Sequence, residues 1–480
     1  MLSRTTARQL VEEIGRSHGY IRQEVLDRMS EADRLEVQQA MLMKDQLIAS
    51  SVTTLARNLY TSNARFVFEL LQNADDNHYT TARANGEGPY VLFHVHPDRV
   101  IMDCNEDGFT QENLTAICNV GKSSKTGAQG YIGEKGIGFK SVFMAACKVH
   151  IQSGNFSFFF QHRHGDSGMI TPVWQDFGDG LGSNFTRITL FLHDDGDADT
   201  VAKQRQTMRE QFQDIHETIL LFMRNIQKIN IAFHDDYDDY DDDDETATST
   251  ISFSMDRPTC NRATVTKSTS QEGKRDEDVR HYHMTKYVAT NLAKNENQIC
   301  SELEEASRAY FRGEVVLAFP LSAQAVPVIE NQWVFAFLPV RQMGFKFLIQ
   351  ADFVTQANMQ DVVTTSVRNQ RLVDGIADAF ITAVQQLCEH DTLQYQWMRY
   401  LPKKEDYPWD DFWTSLLDKI GARLRSTPVL RPANGGALRL IKDLRVNAPI
   451  ELDRNEKPLF SDISPEIYLS LRYRWGTCSY

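Results

Sequence analysis

Apolar residues recur at three-to-four spacing through ARQLVEEIGRSHGYIRQEVLDRMSEADRLEVQQAMLMKDQLIAS, with no internal proline, and this predicts helix over most of the first sixty residues. From about Ala64 to His193 the pattern changes to helical, strand-like and glycine-rich stretches in turn. YVLFHVH and RVIMDC read as two strands joined by the turn pair Pro97-Asp98. KVHIQSGNFSFFFQH and FTRITLFLH add further alternating, β-rich segments. A helix from about Val201 to Gln227 leads into KINIAFH, another strand. VVLAFPL, WVFAFLPV and FKFLIQADFV are three more strand candidates, followed by a helix from about Gly375 to Leu387.

Helices mixed with largely antiparallel hairpins predict an α+β chain, an α/β sandwich rather than a doubly wound sheet. Four regions follow: a helical segment at 1–50, a first domain at 51–198, a second α/β domain at 199–395, and a C-terminal region at 396–480. The last contains Trp397, Trp409, Trp413 and Trp475 and is expected to be mainly helical and to pack. The acidic run at 235–245 cannot pack and is expected as a solvated loop in the second domain.

Composition narrows the function. A hydrophobic content of 41% with 24% charged residues excludes a wholly disordered, collagen-like or disulfide-scaffold chain. Seven scattered cysteines fit a reducing compartment, and no apolar run approaches the roughly 18 residues of a membrane span. Without a signal-peptide pattern, an intracellular location, cytoplasmic or nuclear, is expected. Nine acids lie between Asp235 and Glu245, and without them the net charge of −14 becomes −5. No basic footprint for nucleic acid remains.

Three segments carry candidate chemistry. In FVFELLQNADDN, helical spacing puts Glu69, Asn73 and Asp76 on one face, beside an apolar stripe of Phe66, Leu70 and Ala74. A carboxylate one turn from a carboxamide suits a water activated beside a hard cation such as Mg²⁺. In DCNEDGFTQENL, Asp103, Asn105 and Gly108 sit at the end of a strand. They serve either an adenine edge or a strand-to-helix turn with an Asx cap. In VGKSSKTGAQGYIGEKGIGFKSVF, Gly121, Gly127, Gly130, Gly133, Gly136 and Gly138 are interleaved with Lys122, Lys125, Lys135 and Lys140. Glycine density of this kind frees backbone N–H groups to cradle an anion near a helix start. The spacing is neither a P-loop nor a dinucleotide fingerprint. Cys260, His281, His283 and Cys300 have irregular gaps and no CxxC, which argues against zinc.

Taken in order, these residues resemble the GHKL ATPases, named for gyrase, the heat-shock chaperones, histidine kinases and MutL. NLYTSNARFVFELLQNADDN through YIGEKGIGFKSVF is especially similar to the ATPase module of the plant NO VEIN proteins and of sacsin. The resemblance implies a Bergerat-type α/β sandwich, with ATP and Mg²⁺ as cofactors. By that resemblance Glu69 is the general base, Asn73 the magnesium ligand, and Asp76 the second acid supporting the pocket. Asp103 and Asn105 compete for the adenine position, where Glu106 and Asp107 interrupt the family's DxGxG and Gly108 is retained. Gly121, Lys122, Ser123 and Ser124 match the start of a lid. Gly133, Gly136, Ile137, Gly138 and Phe139 match the phosphate-binding glycine box, with Lys140 facing the phosphates or the lid. Thr186 matches the threonine that closes the base pocket.

In the second domain Met359 stands where the resemblance leads one to expect an arginine reaching the γ-phosphate, with Arg341, Arg368 and Arg371 nearby. The functional expectation is a chaperone-like Mg-ATPase, slow or partner-dependent, driving lid and domain closure. The alternative is a nucleotide-gated binding or scaffold protein with little or no hydrolysis. A homodimer through the ATPase domain is implied as well, while the protein client stays unspecified.

Overall fold

The computed structural model describes residues 2–59, 65–118, 138–162, 168–176, 185–194, 196–235, 247–294, 311–356, 361–407, 410–446, 459 and 466–473. Among the described residues, seven helices precede the middle of the chain: α1 (Arg4–Ser17), α2 (Gln23–Leu26), α3 (Glu31–Leu59), α4 (Arg65–Asp75), α5 (Thr80–Ala84), α6 (Gln111–Cys118) and α7 (Ala198–Gln213). Two more, α8 (Val367–Cys388) and α9 (Asp411–Ser426), follow the last strand.

The first strands are β1 (Tyr90–Val95), β2 (Arg99–Cys104), β3 (Ala146–Ser153), β4 (Phe156–Gln161), β5 (Gly168–Trp174), β6 (Thr186–Leu192) and β7 (Lys228–Phe233). Three long strands come next: β8 (Ser249–Thr259), β9 (Arg262–Gln271) and β10 (Lys274–Ala289). The set ends with β11 (Gly313–Leu321), β12 (Trp333–Ala336), β13 (Leu338–Gln342) and β14 (Leu348–Ala351). They form one 14-stranded sheet in the order β13-β12-β14-β11-β10-β9-β8-β7-β1-β2-β6-β3-β4-β5. Its pairings are antiparallel except β1 with β7 and β12 with β14.

This overturns the expected architecture of a Bergerat-type sandwich followed by a separate α/β domain and a mainly helical C-terminal region. The cause lies in β8, β9 and β10. Their ladders run from β7 to β11 and leave neither neighbouring group of strands with a free edge there, so a single mixed sheet results. The longer helices lie mostly toward the two ends of the chain. After residue 395, α9 stands among short 3₁₀ turns and isolated bridges.

Smaller differences have local causes. The helix expected to reach Gln227 stops at Gln213, and a 3₁₀ turn at Glu217–Phe222 follows it. WVFAFLPV is two strands, because Phe337 takes φ +63° and reverses the chain between β12 and β13.

Alternation in β11 shows how the sheet is covered. Val315, Leu317 and Phe319 pack into the core beneath α8, while Val316 and Ala318 join a smaller cluster with Leu221, Val265 and Phe335 on the opposite face. A second large core holds Phe66, Leu70 and Leu71 of α4 against Val91, Phe93 and Met102.

Helix α8 approaches β10 closely enough that a Cβ on Gly375 would lie 2.5 Å from Ala289 Cβ. By contrast, a Cβ on Gly421 of α9 meets nothing within 4 Å. Gly375→Val should therefore cost about 1–3 kcal/mol through overpacking, whereas Gly421→Ala should gain about 0.5–1 kcal/mol from helix propensity. Urea unfolding of the two variants checks both signs.

Candidate functional site

Helix α4 is set by its apolar face. Phe66, Val67, Leu70, Leu71 and Ala74 are buried, and this fixes the rotation of the helix. Glu69 and Asp76 are also buried, and Asn73 is half-buried. The C-terminal end of the helix is anchored by its last residue, Asp75. Its carboxylate accepts the backbone N–H groups of Arg224 (2.8 Å), Asn225 (2.8 Å) and Ile226 (2.9 Å). The Asn225 side chain donates back to the Asp75 carbonyl at 2.7 Å. Burial pushes the Asp75 carboxyl above its ordinary range, against the opposing pull of those three N–H donors.

Two residues beyond α4, Asn77 Nδ2 donates to Glu106 Oε2. The other oxygen of Glu106 accepts from Thr186 Oγ1 at 2.5 Å. Thr186 Oγ1 lies 2.6 Å from Ser153 Oγ, which accepts the Phe109 N–H at 2.8 Å. Because the Thr186 proton is committed to Glu106, Ser153 must donate to Thr186. One chain of hydrogen bonds thus joins the end of α4, the turn after β2, the end of β3 and the first residue of β6.

Asp103 and Asn105 hold other positions. Asp103 makes a bidentate pair with Arg187, at 2.8 Å to Nε and 2.7 Å to Nη2. Asn105 accepts the Tyr90 N–H at 2.9 Å and donates to the Gly88 carbonyl at 3.1 Å. Asp107 accepts the Thr80 and Thr81 N–H groups, each at 2.8 Å, and so caps α5. Burial would raise its pKa, but these bonds outweigh it and hold the carboxyl below its usual range. Gly108 has φ +89°, a conformation that L side chains rarely adopt.

Glu106 is the acid that sequence reasoning missed, and strand parity is the signal that finds it. Cys104 lies opposite Thr186 in the β2–β6 ladder, and Asp103 lies opposite Arg187. Side chains alternate along an extended chain, so continuing the strand puts residue 106 on the side of Thr186 and residues 103 and 105 on the other.

Gly138 and Phe139 begin a 3₁₀ turn, Gly138–Met144, that packs against α4. Lys140, in the same turn, is buried. Its Nζ donates to the Met169 carbonyl at 2.5 Å and stands 4.3 Å from the centre of the Phe160 ring. Burial draws its pKa down to about 8, partly offset by the nearby Cys118. Gly121, Lys122, Ser123, Ser124, Gly133, Gly136 and Ile137 lie outside the described residues, as do Met359, Cys300 and the acidic run beyond Asp235.

The three arginines that flank Met359 in the sequence are engaged. Arg341 pairs with Asp361 at 3.1 Å, and Arg368 pairs with Asp352 at 2.5 Å while donating to the Ala293 carbonyl. Arg371 donates to the Asn291 carbonyl at 2.7 Å. A cavity at the N-terminal ends of α8 and α9, lined by Thr364, Gln370, Asp410 and Lys419, includes none of the candidate residues.

Among the described residues no helix is long and apolar enough to cross a membrane. Glu69 and Asn73 stand one turn apart on α4. A carboxylate and an amide oxygen at that spacing are a donor set that fits Mg²⁺, which keeps several waters and takes few protein ligands.

The burial of Lys140 has a measurable sign. Its folded pKa of about 8 lies below the ordinary lysine value, so the unfolded chain holds the proton more tightly between these values. Wild-type stability should therefore rise from about pH 8 to about pH 10. Lys140→Met should lack that rise, with the gap in denaturant midpoint between the two proteins changing over this window.

No family model matches the chain. In an alignment of 415 residues that covers 82% of this chain and 14% of the length of the other protein, the chain is 29% identical to Protein NO VEIN of Arabidopsis thaliana.

Proposed function

We propose that this chain binds ATP with Mg²⁺ and hydrolyses it slowly, as a chaperone-like ATPase of the GHKL kind. The observation that supports this most is the hydrogen-bonded chain Asn77–Glu106–Thr186–Ser153. It draws three sequence-distant segments into one polar cluster: the helix bearing Glu69 and Asn73, the turn at Gly108, and Thr186. A buried carboxylate supported by a hydroxyl and an amide is suited to accept from the exocyclic amine of a purine. Glu106 is the residue assigned that role.

Glu69 orients a water and takes its proton as the water oxygen bonds to the γ-phosphorus and the bond to the bridging oxygen breaks. Asn73 would hold Mg²⁺, which would supply charge neutralisation on the phosphates. The glycine- and lysine-rich sequence between Gly121 and Gly138 contributes phosphate-binding chemistry. Asp103 serves by pairing with Arg187, which steadies the strand that leads into the turn bearing Glu106.

One observation favours the second reading, a nucleotide-gated binding protein with little turnover. Arg341 and Arg368 are each committed to a carboxylate, and Arg371 to a backbone carbonyl. An arginine free to reach the γ-phosphate is worth about 10³–10⁵ in phosphoryl transfer.

Steady-state hydrolysis and nucleotide binding, measured together, separate these readings. Glu69→Ala should abolish turnover and leave the Kd for Mg-ATP within about threefold, since the base acts mainly in the transition state. Glu106→Gln should weaken binding about tenfold, the equivalent of one charge-assisted hydrogen bond. Binding without turnover in the wild type selects the gated module. No binding by the wild type overturns both readings.

A further inference from the structure

A cluster of three histidines lies outside the candidate site, at the far end of the β1–β7 pairing. β1 and β7 run parallel in a register that sets His94 beside Ala232 and Val95 beside Phe233. Continued one residue, the same register sets His96 beside His234, and the His234 N–H donates to the Val95 carbonyl at 3.0 Å. All three imidazoles are buried. His94 Nδ1 lies 3.1 Å from His234 Nε2. The His96 and His234 rings stack with centroids 4.3 Å apart and planes 10° from parallel. Both ring nitrogens of His96 are buried without a hydrogen-bond partner among the described residues.

This geometry handles protons, not a metal. Imidazole lone pairs lie in the ring plane, and in parallel rings those of His96 run alongside those of His234 instead of converging on one point. A first proton on the His94–His234 pair leaves their hydrogen bond intact, since an imidazolium still donates. A proton on His96 has no acceptor to receive it and is taken out of water at full cost. The charged side chains around it give no relief. Arg99 repels it, and Asp98 is bonded to Arg99 at 3.2 Å. On the α7 side, Arg209 sits over the Phe233 ring and pairs with Asp235 at 2.7 Å.

We propose that the His94–His96–His234 cluster makes the β1–β7 pairing a proton-sensitive joint, which acid opens before the strands on either side lose their own pairing. Burial, then Arg99 and the two other histidines, pull the His96 pKa down to about 3. An unfolded histidine titrates near 6.5. The closed joint is thus fully stable above about pH 6.5 and loses stability as pH falls toward 3, because the opened form binds a proton that the closed form refuses. Burial also lowers the pKa of His150 in β3, to about 4, and those of His216 and His283, and these competing acid-sensitive groups lie outside the β1–β7 ladder.

Hydrogen exchange at pH 7, 6, 5 and 4.5, corrected for intrinsic rates, tests the joint. In the wild type, protection of residues 90–95 and 228–233 should fall about tenfold between pH 6.5 and 5, consistent with one proton taken up on opening. Residues 315–318 and 348–351, in the β11–β14 ladder whose strands contain no histidine, should keep their protection over that range. His96→Phe retains a ring for the stack and cannot protonate, so its loss should move to lower pH by about one unit. His96→Gln should shift in the same direction and serves if the Phe variant fails to fold. Loss of β11–β14 protection first in the wild type, or unshifted opening in a folded His96 variant, overturns the proposal.

Discussion

The parallel pairing of β1 with β7 is the constraint on which the rest of the structure depends. Parallel neighbours need a long crossover, and here the chain passes through β2 to β6 and α7 before β7 returns to β1. The returning strand is caught just before it begins. The Asp75 carboxylate takes the N–H groups of residues 224–226, and Gln227 N–H then donates to the Pro89 carbonyl. A buried carboxylate satisfied by successive backbone donors is costly to disrupt, because removing it leaves those donors unpaired. Once β7 is placed, its other edge takes β8, and the antiparallel ladders carry the sheet on to β11.

The same anchor organises the candidate site. Asp75 fixes the end of α4, so Asn77 falls within reach of Glu106, and Glu106 in turn meets Thr186 across the β2–β6 ladder. Buried polar networks are strong when every member is satisfied, and this one gives each group a partner of the right kind. Asp103, Asn105 and Asp107 flank it without entering it. Each instead ties the turn after β2 to a neighbour: Arg187, the Gly88–Tyr90 segment, and the start of α5.

How much of this could be read in the sequence depended on whether one face of an element was apolar. Strands β1, β2 and β7 announce themselves through buried alternating or continuous apolar residues, as α4 does through Phe66, Leu70 and Ala74. Strand β9 and the first half of β10 do so only weakly: TVTKSTSQ and KRDEDVR each hold a single valine in a polar run, and their stability comes from neighbours on either side that the local pattern does not reveal. Strand β8 does alternate, with Ile251, Phe253 and Met255 on one face, but it directly follows the acidic run. Missing them split one sheet into two expected domains. The site was legible in part for a related reason. Helical spacing grouped Glu69, Asn73 and Asp76 directly, whereas Glu106 was passed over because motif matching ignores which side of a strand a residue faces. Lys140 shows the converse: a lysine beside glycines read as a phosphate ligand, while its place in the 3₁₀ turn sends it to the Met169 carbonyl.

The central claim is that α4, the turn at Gly108 and the start of β6 form one nucleotide site. Hydrogen exchange of the wild-type chain with and without saturating Mg-ATP tests it most directly. The account predicts that nucleotide slows exchange together in residues 66–77, in 105–109 and around Thr186, while α8 and α9 are unchanged. Nucleotide binding that leaves these three segments unprotected, or protects the cavity between α8 and α9 instead, would contradict it.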